Sequence, residues 1–204
     1  MLKKYFLIVL LGLSASWATA QDNFFYLSWN YQVPLSNTDW LDASSARGGK
    51  IGYRFFVLED RLTMGVDLSW ITFNQYQPTQ TFQQDNGAIT TDYFKFIYNY
   101  GATLSAQYYF PVSDRKILFP YAGLGLGANY NDFTLYYNIY SDSYTSWGFL
   151  ARPEAGIVVR FGAYRSLGAI AAVHYDYSTN KNENFDYSSF NTVGFKLGVV
   201  LMNR

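Results

Sequence analysis

The stretch YGATLSAQYYF at residues 100–110 decides the fold class, because apolar and polar side chains alternate along it. One side of an extended chain carries its large or apolar residues: Tyr100, Ala102, Leu104, Ala106, Tyr108 and Phe110. An amphipathic helix would repeat its apolar residues at intervals of three and four. The interval of two therefore predicts a β-strand with one apolar face.

The same alternation recurs along the rest of the chain. The other segments that show it are 26–33, 50–57, 62–70, 121–130, 147–161, 167–177 and 193–201. Asp, Glu, Lys and Arg are absent from all of these apolar faces, whereas the opposite faces carry Gly, Ser, Thr, Asn and a few charges of both signs. A soluble barrel turns its apolar face inward, and a membrane barrel turns it outward to lipid. We therefore predict an all-β fold, an eight-stranded antiparallel up-and-down transmembrane β-barrel.

The connectors between these segments support that prediction, because long and short ones alternate. The long ones are 34–48, 74–92, 131–146 and 178–190, and the short ones are 58–61, 111–118 and 162–166. Membrane barrels have long external loops and short periplasmic turns. The order places both ends of the barrel on the periplasmic side.

The N-terminal segment predicts export. Lys3 and Lys4 precede an apolar run from Tyr5 to Leu13, and small residues follow up to Ala20. This is the order of a secretory signal peptide, and the apolar run is too short to span a bilayer as a helix. We expect a signal peptide over residues 1–20, cleaved after Ala20, and a barrel domain over 21–204.

Composition excludes several classes of function. The chain has no cysteine, which removes disulfides, thiol nucleophiles and thiolate metal sites. Its 15 basic and 15 acidic residues balance, so it has no net attraction for nucleic acid. No phosphate-binding loop or metal-binding motif is visible. We expect no cofactor, no metal and no enzymatic activity.

Two segments carry a resemblance to a known group. YAGLGLGANY at 121–130 and RPEAGIVVRF at 152–161 resemble recurrent pieces of the small outer-membrane β-barrel proteins of Gram-negative bacteria, which include OmpA-like transmembrane domains and porin-family proteins. The resemblance implies export, contact with outer-membrane lipids and insertion by the outer-membrane assembly machinery. It implies no specific activity.

The polar faces contain charges that the fold would place in the lumen. These candidates are Lys50, Arg54, Asp67, Arg152, Glu154, Arg160, His174, Asp176 and Lys196. The interior of an eight-stranded barrel is just wide enough for side chains to fill it. We therefore expect a paired polar core, with a narrow-pore porin or transporter of small solutes as the alternative.

His174, the single histidine, could serve a second alternative. Asp176 and Ser178 follow it on the same face, and a histidine near a carboxylate and a serine is how a lipid A-modifying hydrolase would begin. Such an enzyme would present its site to lipid, whereas these residues share the lumen face. We expect His174 to be a buried, hydrogen-bonded side chain.

Pro153 lies in the middle of the sixth predicted strand. It has no N–H to donate to a neighbouring strand, and a closed barrel offers no free edge for it. We expect a bulge or a local bend at this position.

Tyrosines crowd one predicted external loop, at Tyr136, Tyr137, Tyr140 and Tyr144. Tyr among Ser and Asn gives rigid contact area and adaptable hydrogen bonds, which is typical of binding surfaces. The alternative, which we favour, is an aromatic girdle at the membrane interface together with strands that extend above the bilayer. We expect a monomeric protein with a structural or surface-display role, whose external loops contact a ligand that the sequence does not identify.

Overall fold

The computed structural model describes residues 22–58, 61–84, 87–110, 117–137, 140–162, 166–181 and 188–203. In these residues the strands are β1 Asn23–Pro34, β2 Ser45–Leu58, β3 Leu62–Gln84, β4 Gly87–Tyr109, β5 Leu118–Tyr137, β6 Tyr140–Arg160, β7 Leu167–Ser178 and β8 Thr192–Asn203. The predicted signal peptide, residues 1–20, lies outside the described residues. Across the described part of the chain, no helix has the length and apolar character needed to cross a membrane.

Each strand pairs antiparallel with the next one along the chain, and β1 pairs with β8 to close a barrel. The closing ladder runs without a register shift from Asn23 opposite Asn203 to Pro34 opposite Thr192. Closure satisfies the edge hydrogen bonds that an open sheet would leave unpaired. The predicted eight-stranded up-and-down barrel is confirmed.

The outer face of the barrel is apolar, as the alternation predicts. Leu104 keeps 71% of its surface exposed and Trp147 keeps 73%, whereas Thr103 and Arg152, which face the lumen, are both 2% exposed. A continuous apolar surface of this extent would be unstable in water and is matched by lipid.

Two hairpins extend well beyond the rest of the barrel. β2 pairs with β3 as far as Gly48 and Ile71, and β6 pairs with β7 as far as Leu150 and Ser178. Beyond these levels the β3–β4, β4–β5 and β5–β6 ladders continue. The four strands form a projecting sheet, defined here as residues 72–84, 87–98, 131–137 and 140–149.

The projecting sheet corrects two predicted loops. Most of 74–92 and 131–146 is strand, with the hairpins turning after Gln84 and Tyr137. Outside the bilayer a strand keeps its backbone hydrogen bonds but needs no lipid-facing apolar side, so the alternation weakens while the strand continues.

The ladders around Pro153 show no bulge, so that part of the expectation is wrong, and the local bend stays a prediction. Pro153 pairs with Leu124 in an unbroken β5–β6 ladder, and the β6–β7 register is the same on either side of it, at Ala151 with Tyr177 and at Glu154 with His174. The β6–β7 ladder skips Arg152 and Pro153, so the missing N–H of Pro153 falls in a local gap in pairing.

Candidate functional site

The middle of the lumen holds the charged residues singled out above. All nine are buried, with exposed fractions from 0% to 8%: Lys50, Arg54, Asp67, Arg152, Glu154, Arg160, His174, Asp176 and Lys196. The structure arranges most of them around three carboxylates.

Glu154 on β6 is the centre of the first group. Its Oε2 accepts a hydrogen bond from Lys50 Nζ at 2.9 Å, and its Oε1 accepts one from Lys196 Nζ at 2.6 Å. Gln107 and Tyr121 also donate to Oε1, at 3.0 and 2.7 Å. One buried carboxylate therefore balances two ammonium groups, which ties β2, β4, β5, β6 and β8 together across the lumen.

Asp67 on β3 is the centre of the second group. Arg54 Nη2 donates to both of its oxygens, at 2.8 and 2.7 Å, and Tyr26 and Ser105 hydroxyls donate at 2.5 and 2.6 Å. Gly52 makes room for this arrangement, because a Cβ there would lie 2.1 Å from the Tyr26 ring and 2.3 Å from Asp67 Oδ1. The Asp67 carboxylate is therefore fully hydrogen-bonded, and a side chain at position 52 would collide with it.

Asp176 on β7 is the centre of the third group. Arg152 donates to it through Nε at 2.5 Å and Nη2 at 2.7 Å, and Gln32 donates at 3.4 Å. The Gln32 amide nitrogen also lies 3.0 Å from Nε2 of His174. His174 is thus part of a lumen network, 3% exposed, and a Cβ at Gly194 would lie only 2.5 Å from its ring.

Arg160 lies apart from these groups, near the periplasmic end of β6, where it pairs with Gly168 of β7. Among the described residues, no three His, Asp or Glu side chains are grouped so as to hold a metal ion.

Apolar clusters lie above and below the charged middle of the lumen. The sequence did not predict them. The periplasmic cluster comprises Phe24, Tyr26, Tyr109, Tyr121, Val158, Ile170, Ala172 and Val200. The external cluster comprises Leu41, Ile71, Phe73, Ile97, Phe133 and Phe190. Apolar side chains are therefore concentrated at the two ends of the lumen, and most of the paired charges lie between them.

The connector after β1 contributes to the external cluster. Leu41 is fully buried, and Lys95 Nζ donates to the Trp40 carbonyl at 2.6 Å. Asp42 and Gln75 exchange two hydrogen bonds, at 2.6 and 3.0 Å. These contacts hold the connector in the barrel mouth against the inner face of the projecting sheet.

The outer face of the projecting sheet carries a second group of aromatic rings. We define the aromatic patch as Tyr76, Phe94, Phe96, Tyr98 and Tyr136. Ring centroids are 5.1 Å apart for Tyr76 and Phe94, 5.7 Å for Phe96 and Tyr98, and 5.3 Å for Phe96 and Tyr136. Tyr76 remains 52% exposed.

The four tyrosines predicted to form one binding surface divide between two faces. Tyr137 pairs with Tyr140, and Tyr144 pairs with the inward-facing Phe133, so these three tyrosines share the inner face of the sheet. Tyr136 lies on the outer face with the aromatic patch. The hydrogen bond from Tyr137 to the Asp142 carboxylate raises the pKa of the Tyr137 hydroxyl.

The external segments are more acidic than basic. In the part of the chain that the structure describes, their acidic residues are Asp39, Asp42, Asp92, Asp132 and Asp142. Their basic residues are Arg47, Lys95 and Lys181. Although the charges of the whole chain balance, its external end is therefore negative.

Comparisons with known proteins give the same architecture. Neisserial surface protein A matches with a TM-score of 0.58 at 15% identity, covering 88% of this chain and 96% of that one. Ail, the attachment invasion locus protein of Yersinia pestis, matches with a TM-score of 0.53 at 13% identity, covering 91% and 100%. A second Ail structure, in complex with the heparin analogue sucrose octasulfate, has a TM-score of 0.50 at 12% identity, covering 91% and 100%. At these identities the similarity shows the fold.

Sequence similarity identifies the family. No curated protein matches the chain. Residues 5–201 match the family described as the outer membrane protein beta-barrel domain, which accounts for nearly the whole sequence. The chain belongs to the outer-membrane β-barrel protein family, and its barrel lies in the outer membrane of a Gram-negative bacterium.

Proposed function

We propose that this protein is a surface-binding protein, in which a filled barrel anchors the projecting sheet outside the outer membrane. The projecting sheet is the observation that carries the proposal. Residues 140–145 of β6 are all exposed, and β7 pairs with β6 only up to Leu150. Proteins usually shorten or cover such edges, because an open edge readily pairs with another chain. Residues 179–181 cover the β6 edge at Ser146 and Phe149, so the exposed edge is the outer six residues, 140–145, which are suited to contact with a partner.

The names of the similar structures support a surface role, since one is a surface protein and the other an attachment protein. The ligand of Ail in its complex is a polyanion. The acidic external segments of this chain do not favour such a ligand, so we propose a different ligand class below.

The lumen supports an anchoring role over the porin alternative. Paired charges fill its middle, and the two apolar clusters close its ends. A conduction path would need a continuous polar opening. The expected partners within the membrane are the surrounding lipids and the assembly machinery, and the closed barrel has no need of a second copy.

The proposed function includes no enzymatic activity. His174 is buried beneath the external cluster, and the Ser178 hydroxyl bonds to Asn180 and lies 3.0 Å from the Asn129 amide nitrogen. A hydrolase acting on lipid would instead need its nucleophile and base together and accessible.

Trimming the projecting sheet tests the proposal. In the trimmed variant, Asn-Gly turns replace residues 77–93 and 135–142, so that each turn joins a directly paired couple, Tyr76 with Phe94 and Thr134 with Ser143. Full-length and trimmed barrels in phosphatidylcholine nanodiscs would be passed over immobilised gelatin, oligolysine and heparin. We expect the full-length barrel to bind at least one of these probes and the trimmed barrel, which lacks the outer parts of both hairpins with Asp92 and Tyr136, to bind that probe more weakly.

Equal binding by the trimmed barrel, or no binding of the full-length barrel to any probe, would contradict the proposal. Both proteins must first show the gel-mobility shift between boiled and unboiled samples that reports a folded barrel. Ion conductance across planar bilayers containing the folded full-length protein would favour the porin alternative instead.

A further inference from the structure

The outer end of the aromatic patch lies beyond the hydrocarbon core of the membrane. Phe94 is 14 residues from Tyr108 along β4, and both face outward. At about 3.3 Å per residue and a tilt near 40°, this separation is about 35 Å, whereas the apolar band of such barrels is about 25 Å tall. Phe94 therefore stands about 10 Å above the hydrocarbon.

On the two strands beside β4, polar side chains lie between the patch and the aromatic residues at the membrane boundary. Trp70, Tyr100 and Tyr130 form a directly paired row across β3, β4 and β5. On β3 the next outward positions are Thr72 and Asn74, and on β5 they are Asp132 and Thr134. On β4 itself Tyr98 follows Tyr100 on the same face, so the patch joins the boundary aromatics along this strand and is flanked by polar side chains on β3 and β5.

The rings of the patch are already ordered by one another. Tyr76 contacts Phe94, which lies 6.5 Å from Phe96, and Phe96 meets Tyr136 edge-on at an interplanar angle of 89°. Rings held in place by their neighbours lose little freedom when a partner docks, so exposed aromatics of this kind make effective contact surfaces.

The charges beside the patch are all negative. Asp92 accepts a hydrogen bond from the Tyr76 hydroxyl at 3.3 Å, and Asp132 pairs with Tyr98 across β4 and β5. The one cationic side chain in the described projecting sheet is Lys95, which faces inward and donates to the Trp40 carbonyl. The outer face thus combines aromatic rings with carboxylates and presents no cation of its own.

This combination selects the chemistry of the partner. Arg and Lys side chains are attracted both to the faces of aromatic rings and to neighbouring carboxylates. A polyanion would be repelled, and a purely apolar partner would have to desolvate the carboxylates without compensation. We propose, resting on the proposed surface-binding function, that the aromatic patch with Asp92 and Asp132 docks a cationic polypeptide segment.

Binding of charged peptides to single-site variants tests this proposal. The probes are fluorescent 12-residue oligolysine and oligoglutamate, titrated with the full barrel in phosphatidylcholine nanodiscs, with empty nanodiscs subtracted. We expect oligolysine to bind and oligoglutamate not to bind. The double variant Asp92→Asn, Asp132→Asn should weaken oligolysine binding about tenfold at low salt and reduce its dependence on salt.

The aromatic contribution is measured separately. Phe94→Ser with Tyr136→Ser should weaken oligolysine binding about fivefold while leaving the salt dependence unchanged. Tyr140→Ser, on the opposite face of the same sheet, is the matched control and should bind as the unmodified protein does. All variants must show the folded gel mobility.

Oligolysine binding no tighter than oligoglutamate binding, or unchanged binding by either double variant, would overturn this inference. If gelatin or heparin binding depends on the projecting sheet while oligolysine binding does not, the proposed surface function stands and the cationic partner is wrong. If no probe depends on the sheet, both are wrong.

Discussion

Replacing Glu154 with leucine is expected to destabilise the folded barrel by about 3–5 kcal/mol, the usual cost of leaving buried charge uncompensated. Lys50 and Lys196 would lose the carboxylate that both contact at the centre of the lumen. Lipid outside and apolar clusters above and below keep bulk water from replacing it. Urea unfolding of the protein in phosphatidylcholine vesicles would measure the loss.

A triple variant separates charge from packing. Glu154→Leu combined with Lys50→Met and Lys196→Met removes the whole ionic group and should recover most of the lost stability, because buried ionic groups can be exchanged for apolar ones at little cost. If Glu154→Leu alone lowered the free energy of unfolding by less than about 1 kcal/mol, the two ammonium groups would not be held as the structure has them.

Truncating Phe24 to alanine should cost about 3–5 kcal/mol as well, for a different reason. Phe24 is fully buried in the periplasmic cluster, with its ring 6.0 Å from Phe56 and 6.4 Å from Tyr109. Its removal leaves a cavity that the rigid barrel wall cannot collapse to fill. The same urea titration measures the effect.

Phe25→Ala is the matched control, since the neighbouring residue has the same chemistry but faces lipid and is 40% exposed. Lipid chains can move into the space that Phe25 leaves, so we expect its loss to be about half that of Phe24. If Phe25→Ala were the more damaging of the two, the lumen end would not be packed as described.

The faces of the strands could be predicted from the sequence because two different solvents impose them. Leu104 faces lipid and Thr103 faces the lumen, so the interval of two is enforced wherever the barrel lies in the membrane. The antiparallel order follows from the connector lengths. The alternation assigns a side chain to one face of the sheet, but it does not give the height of that side chain along the barrel axis.

The pairing of charges depends on height. Glu154 meets Lys50 from 104 positions away and Lys196 from 42 positions away, and these partners are set by the register of ladders that the sequence does not specify. The same limit concealed the apolar clusters. Phe24 and Phe73 occupy inward positions like their polar neighbours, and only their places near opposite ends of the lumen make them part of a packed end.

The extent of the projecting sheet could not be predicted for the converse reason: strands above the bilayer were part of the girdle alternative, but 74–92 and 131–146 were predicted as loops. Around Phe94 and Phe96 both faces of β4 carry large side chains, because at this height the strand has neither lipid on its outer face nor the polar middle of the lumen on its inner face. The four tyrosines predicted to form one surface lie in the same sheet. They were predicted to lie in a loop, which gives its residues no fixed face, whereas successive residues of a strand point to opposite faces. Paired strands put Tyr136 on one face and Tyr140 on the other.

Labelling of single cysteines on living cells tests the central claim, a barrel that presents the projecting sheet outside the outer membrane. The chain contains no cysteine, so each introduced thiol reports one position. We expect a membrane-impermeant polyethylene glycol maleimide of about 5 kDa to label Ser141→Cys on intact cells, to label Arg61→Cys only after the outer membrane is permeabilised, and to leave lipid-facing Leu104→Cys unlabelled in both states. Labelling of Arg61→Cys but not Ser141→Cys on intact cells would contradict it.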